Sequence, residues 1–341
     1  MRPTVEQINY LNICLMAVSC VCAFAIPFEL FLFSYAVLGP LHYLTEISWL
    51  HDRSYFFGLR EIGSRKRANH LWLVLVAITL AVMLFGAISE KALGRMITPV
   101  WEIALFYLVF VASALLIFVR RPVIQTVIFG LTAVALFMFS STQYYAIIAF
   151  FLITIIHVLV FTGAFILHGA LKNRSRSGFL SLVAFMACVA GFFLYHPDGL
   201  SHTVSNYVRH SYDSFKTLNY LLIKLFHLNT GTPVQDIYES SAGLTAMRVI
   251  AFAYTYHYLN WFSKTSIIKW HEIPRPRGVL IVLLWLASLA LYSRGYETGM
   301  IALYFLSVLH VMLEFPLNHR TFAGIGRELH AFVRLGPSHS D

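Results

Sequence analysis

Apolar residues along this chain come in long blocks, not at the spacing of half-buried helices or strands. Residues 70–88, 100–119, 143–171 and 278–293 are almost uninterrupted runs of aliphatic and aromatic side chains. A helix needs about 20 such residues to cross a bilayer. The pattern predicts spans at 10–26, 28–50, 70–88, 100–119, 122–140, 143–171, 178–196, 243–263, 278–293 and 298–318. Pro27 and Glu29 either split the first apolar stretch into two helices or only kink it, so the count is nine or ten. The predicted fold class is therefore all-α: a polytopic transmembrane helical bundle forming a single integral-membrane domain over 1–341.

The polar connections alternate in charge. Segments 51–69 (Arg53, Arg60, Arg65, Lys66, Arg67), 120–121, 172–177, 264–277 and the tail from His319 are basic. The intervening connections 89–99, 141–142, 197–242 and 294–297 are weakly or evenly charged. By the positive-inside rule the basic set is cytoplasmic; the location expected for the chain is a bacterial inner membrane. The segment 197–242 is then an extracytoplasmic loop. Its residues 202–228 mix apolar and polar positions and suit an interfacial helix, either a cap over helix ends or a gate for a lipid-borne substrate.

Composition narrows the class further. Of 341 residues, 58% are hydrophobic and 12% charged, about half the charged fraction of a soluble domain. The net charge of +9 resides mostly in short connections beside apolar blocks, so it marks topology and not nucleic-acid binding. Arg2 is the only early cation and no small-residue cleavage site follows, which predicts that the first apolar run is retained. The cysteines Cys14, Cys20, Cys22 and Cys188 all fall in apolar helices without zinc-like spacing, as inert buried thiols would. The sequence contains no Walker loop, GxGxxG, GxSxG or CxxC motif.

The polar residues inside the spans carry the chemistry. His42, His157, His168, His257 and His310 all lie within predicted helices. Ionisable groups at membrane depth are costly and face a protein interior or a cavity. Counted from the inner ends of their spans, His42, His257 and His310 lie roughly 9–12 Å deep at 1.5 Å per residue. His157 is near the middle of its span, and His168 is placed at the interface. His42 and His310 each have an acidic residue four positions on, Glu46 and Glu314. Positions four apart share a helix face. Such a pair can put two ligands on one metal, or the carboxylate can hold the ring's second nitrogen. Imidazoles from several helices with carboxylates nearby suit iron, zinc or copper. Iron is preferred, because a hydrophobic membrane site has little use for a zinc hydrolase. The expected metal ligands are His42, His157, His257 and His310, in the cytoplasmic half of the membrane. Glu46 and Glu314 are the expected catalytic carboxylates.

Four short stretches repeat, in order, the pattern of a known family. "GPLHYLTE" sets a Gly/Pro turn before His42 and Glu46. "ITIIHVLVF" is a β-branched apolar run into His157. "AYTYHYLNWFSKTSIIKW" is an aromatic run into His257 with a basic exit. "LSVLHVMLEFPLNH" carries His310, Glu314 and His319. Together they resemble the signatures of the Brp/Blh family of membrane β-carotene 15,15′-dioxygenases. The matches cover about 50 residues. Two positions depart from the family pattern. Trp261 stands where the third signature has a second histidine, and Thr162 where the second signature has an acid. The resemblance is thus to a divergent relative. It implies Fe(II) held by imidazoles near the inner leaflet, and dioxygen as co-substrate. It also implies a long polyene entering laterally from lipid, with some of the 29 phenylalanines and 18 tyrosines lining its path.

The function expected is a membrane-embedded, histidine-ligated iron oxygenase or oxidase acting on an apolar, carotenoid-like molecule. Its expected partners are membrane lipids and that substrate, with no nucleic acid. Three other readings use the same residues: a proton- or metal-coupled transporter, a haem protein with histidine ligands, and a non-enzymatic membrane scaffold. The first oxygenase reading leads because the polar groups gather towards one side of the membrane. Spans 100–140 and 178–196 offer a relay little beyond Glu102, Gln125 and Thr132.

Overall fold

A computed structural model describes residues 3–56, 64–93, 99–138, 151–195, 203–228 and 237–334. Among the described residues every regular element is helical. The chain is all-α, as the long apolar blocks require. Eight helices are long and apolar enough to cross a membrane: Val5–Ala25, Pro27–Asp52, Asn69–Glu90, Trp101–Phe118, Leu152–Asn173, Arg176–Leu194, Arg275–Arg294 and Tyr296–Ala331. The other two expected spans are also helices. Pro122–Met138 is short at 17 residues. Ser241–Ser263 is long enough at 23 residues, but it holds three tyrosines, two threonines, His257 and Asn260 and carries Arg248. The expected basic residue Arg60, the connection 141–142 and the first residues of the span predicted at 143–171 lie outside the described residues.

The main helices are α1 (Val5–Ala25), α2 (Pro27–Phe33), α3 (Gly39–Asp52), α4 (Ser64–Leu93), α5 (Pro99–Phe118), α6 (Pro122–Met138), α7 (Thr162–Asn173), α8 (Arg176–Leu194), α9 (Asn206–Tyr212), α10 (Lys216–Leu225), α11 (Ser241–Ser263), α12 (Arg275–Arg294) and α13 (Tyr296–Arg334). Two segments are π-helical: Ser34–Leu38, which runs into α3, and Leu152–Phe161, which runs into α7.

Local chemistry sets the ends. α1 begins at Val5, earlier than its apolar run, because Thr4 and Gln7 form a reciprocal cap. The Thr4 hydroxyl accepts from the Gln7 amide at 3.2 Å, and the Gln7 side chain accepts from the Thr4 amide at 2.8 Å. It ends at Ile26, whose backbone leaves the helical region before Pro27. Pro27 then opens α2 at a position where no amide hydrogen is needed. The alternative left open by Pro27 and Glu29 is thereby decided as a break. At the other end, α13 continues past Pro316 to Arg334, although its span was expected to end at 318. No glycine–proline stop occurs until Gly336 and Pro337.

By its contacts the chain forms two compact units. The first comprises 1–45 and 158–303, the second 46–157 and 304–341. In the first unit α11 is central, with every residue from Thr245 to Tyr258 buried. Lipid competes equally well for apolar surface, so close packing and hydrogen bonds hold such helices together. Tyr256 donates to the Asn12 side chain at 3.1 Å, Ser263 donates to the same oxygen at 3.0 Å, and the Ser34 and Thr255 hydroxyls lie 2.7 Å apart. The π-helical turn changes the hydrogen-bond register of its strand of helix. The carbonyl of Leu32 just before it accepts from Tyr296 at 3.2 Å, and that of Val37 within it accepts from Trp285 at 2.9 Å. The segment expected as an interfacial helix forms α9 and α10. Its Tyr212 and Phe215 pack edge-on against Phe31 of α2. Gly243 is required where α11 begins, since a β-carbon there would sit 2.2 Å from the Ile237 carbonyl oxygen.

In the second unit, Trp72 of α4 donates to the Val109 carbonyl of α5 at 3.1 Å. Gln125 of α6 donates to the Val119 carbonyl at 2.7 Å, closing the C-terminal end of α5. Phe315 of α13 packs edge-on against Phe106 and Phe110 of α5.

Candidate metal centre

All six residues singled out from the sequence, His42, Glu46, His157, His257, His310 and Glu314, are buried. In the first unit α3 supplies His42 and α11 supplies His257. Their Nε2 atoms lie 3.1 Å apart, with the rings nearly perpendicular. Gly39, at the start of α3, lets the two helices approach: a β-carbon there would lie 3.2 Å from the Tyr258 hydroxyl. On its other side the His257 ring meets Thr162, whose hydroxyl is 2.9 Å from Nδ1. Trp261, one turn beyond His257, donates from its indole nitrogen to the Thr45 hydroxyl at 3.0 Å and its ring stands perpendicular to that of His42. That hydroxyl in turn donates to the Leu41 carbonyl at 2.8 Å.

The second unit holds a parallel arrangement. His157, on the π-helical segment, and His310, on α13, place their Nε2 atoms 3.2 Å apart, again nearly perpendicular. The Nδ1 of His157 lies 3.1 Å from a Glu314 carboxylate oxygen. Glu314 thus reaches across to the imidazole of another helix. Glu46 belongs to this unit, and its carboxyl is near enough to Glu314 for their charges to interact. One turn further along α13, Asn318 is 1% exposed, and neither its oxygen nor its nitrogen has a hydrogen-bond partner. His319 is accounted for structurally: its Nε2 donates to the Phe110 carbonyl at 3.2 Å, and its ring packs on Phe110.

The two imidazole pairs fit a metal by distance. Two nitrogens on one ion, each about 2.0–2.1 Å from it, lie about 2.8–3.4 Å apart at right or tetrahedral angles. The observed separations are 3.1 and 3.2 Å. Each pair also has a polar group at one remote ring nitrogen: the Thr162 hydroxyl hydrogen-bonds with that of His257, and a Glu314 carboxylate oxygen lies 3.1 Å from that of His157. A partner there fixes the ring's orientation and turns Nε2 towards a metal. Sequence patterning flagged Thr162 only as a departure from an acidic position. Its contact with His257 joins residues 95 apart in the chain, for which local spacing holds no signal. The same is true of Trp261 and Thr45.

No protein-family model, curated protein or solved structure matches the chain. What the fold and the buried residues define is a class: an all-α integral membrane protein with paired histidines in its interior.

Proposed function

We propose that the chain is a membrane-embedded, histidine-ligated metal oxygenase or oxidase acting on an apolar, lipid-soluble substrate, carotenoid-like by the resemblance to the Brp/Blh family. The supporting observation is the Nε2-to-Nε2 pairing of buried imidazoles, at 3.1 Å for His42 with His257 and 3.2 Å for His157 with His310. Their ligands would be nitrogen, with iron the metal proposed; when bound, Fe(II) would supply the site at which dioxygen is activated. His42 with His257 in the first unit, and His157 with His310 in the second, are assigned as metal ligands. Thr162 and Glu314 hold the remote ring nitrogens of His257 and His157. Glu46, four residues after His42 on α3, is assigned to proton transfer. The apolar helices around these groups exclude water, which strengthens every interaction with a charge. The site is assigned to the cytoplasmic half of the membrane on the distribution of basic connections, and the membrane proposed is a bacterial inner membrane.

A second reading has an observation in its favour. His310, His157 and Glu314 form a contiguous run of titratable groups, and such a run suits proton transfer through a transporter. Metal analysis of the purified full chain separates the two. The oxygenase reading expects stoichiometric iron that is lost on His42→Ala, His157→Ala or His257→Ala. Metal-free protein from iron-replete cells, with proton flux that follows pH in the histidine range, would establish the relay instead.

A further inference from the structure

Arg248 stands apart from the imidazole pairs. It lies on α11 about 10 Å along the axis from the first residue, at 1.5 Å per residue. Nine residues separate it from His257, which puts the two on opposite sides of the helix at 100° per residue. Arg248 is 4% exposed, its Nε has no hydrogen-bond partner, and no carboxylate among the described residues pairs with it. Its guanidinium carbon stands 5.1 Å over the ring of Phe24 on α1. Phe24 in turn packs against Phe192 at 4.8 Å and Tyr195 at 5.8 Å. A cation–π contact offsets only part of what it takes to remove a guanidinium from water. An ionisable side chain inside a membrane protein marks a candidate functional site.

We infer that Arg248 is the anion-binding residue of a second site, on the α1–α8–α11 side of the first unit, which takes a phosphate group. The guanidinium fork matches two phosphate oxygens at once, which an ammonium does not. Val21, three residues before Phe24, and Leu194, the residue before Tyr195, are 68% and 83% exposed. Exposed apolar side chains on the helices that carry the aromatic platform suit a phosphate that arrives on an acyl chain, as the headgroup of an anionic lipid. Free phosphate offers the guanidinium the same oxygens and is the other source.

The test uses the full chain reconstituted in vesicles of phosphatidylcholine alone or with phosphatidylglycerol, followed by native mass spectrometry and thermal unfolding. Wild type is expected to retain one phosphatidylglycerol with at least tenfold preference over phosphatidylcholine. Arg248→Gln is expected to abolish that preference, and Arg248→Lys to lower it severalfold. If millimolar inorganic phosphate raises the unfolding temperature in phosphatidylcholine vesicles and phosphatidylglycerol adds nothing, the free ion is the ligand. The site is overturned if wild type shows neither a headgroup preference nor a response to phosphate. It is equally overturned if the preference persists undiminished in Arg248→Lys and Arg248→Gln. The wild-type comparison needs no variant, so a poorly folding Arg248→Gln leaves the inference open to refutation.

Discussion

The hydroxyl of Thr162 lies 2.9 Å from Nδ1 of His257, on the opposite side of the ring from the Nε2 that faces His42. One side chain thereby orients a buried imidazole whose other nitrogen points at a second imidazole. Thr162→Val keeps the shape and removes the hydroxyl. Loss of such an outer partner lowers metal affinity by roughly 10–100-fold. The expected result is that decrease in a chelator competition, with an unfolding temperature close to that of wild type. Unchanged affinity would remove Thr162 from the site.

Glu314 plays the corresponding part at 3.1 Å from Nδ1 of His157. Glu314→Gln preserves size and an acceptor oxygen but abolishes the charge. It is expected to weaken metal retention by about 10-fold or more. Glu314→Ala is expected to lower stability as well, because it leaves a cavity beside a buried ring. Metal content measured after dialysis, alongside thermal unfolding, distinguishes the two effects.

Asn318 buries both polar atoms of its carboxamide without a hydrogen-bond partner. A buried polar group in that condition costs about 1–3 kcal/mol relative to a satisfied one. Asn318→Leu, similar in volume, is therefore expected to raise the unfolding temperature. A lowered temperature would show that the carboxamide makes an interaction essential to the fold.

Lys264 follows the last residue of α11, and burial pushes its ammonium down from 10.5 to about 8. The folded protein therefore resists charging it, while the unfolded chain stays protonated up to about pH 10.5. Stability is penalised in full below pH 8 and rises as pH increases from about 8 towards 10.5, where the unfolded state binds the extra proton. Lys264→Met is expected to be more stable than wild type at neutral pH, and the difference is expected to narrow across that window. Unfolding temperatures measured at a series of pH values check both expectations. A constant difference between wild type and variant would sink the assignment.

Much of this molecule is legible from its amino acids alone. Long apolar blocks determine an all-α membrane protein, since a backbone in hydrocarbon must satisfy its own hydrogen bonds within each helix. Pro27 marks a helix boundary by its missing amide hydrogen and its effect on Ile26, and Thr4 with Gln7 marks the start of α1. The rarity of histidine and glutamate inside apolar runs singles out His42, Glu46, His157, His257, His310 and Glu314 as buried, because desolvation makes such residues too expensive to place idly. Helical spacing also puts Glu314 on the face of His310.

Tertiary packing decided which of these groups touch. Spacing along α13 cannot reveal that Glu314 contacts His157, a residue 157 positions earlier in the chain, or that Thr162 takes the far nitrogen of His257. It likewise cannot reveal that α11, polar enough to fail as a lipid-facing helix, is buried on all sides and leaves Arg248 over a phenylalanine ring. Local sequence sets the period and the ends of a helix, because these depend on hydrogen bonds three to five residues long. Partners at a site depend on the angle and register at which whole helices pack, and those are set by side-chain shape summed over contacts distant in the chain.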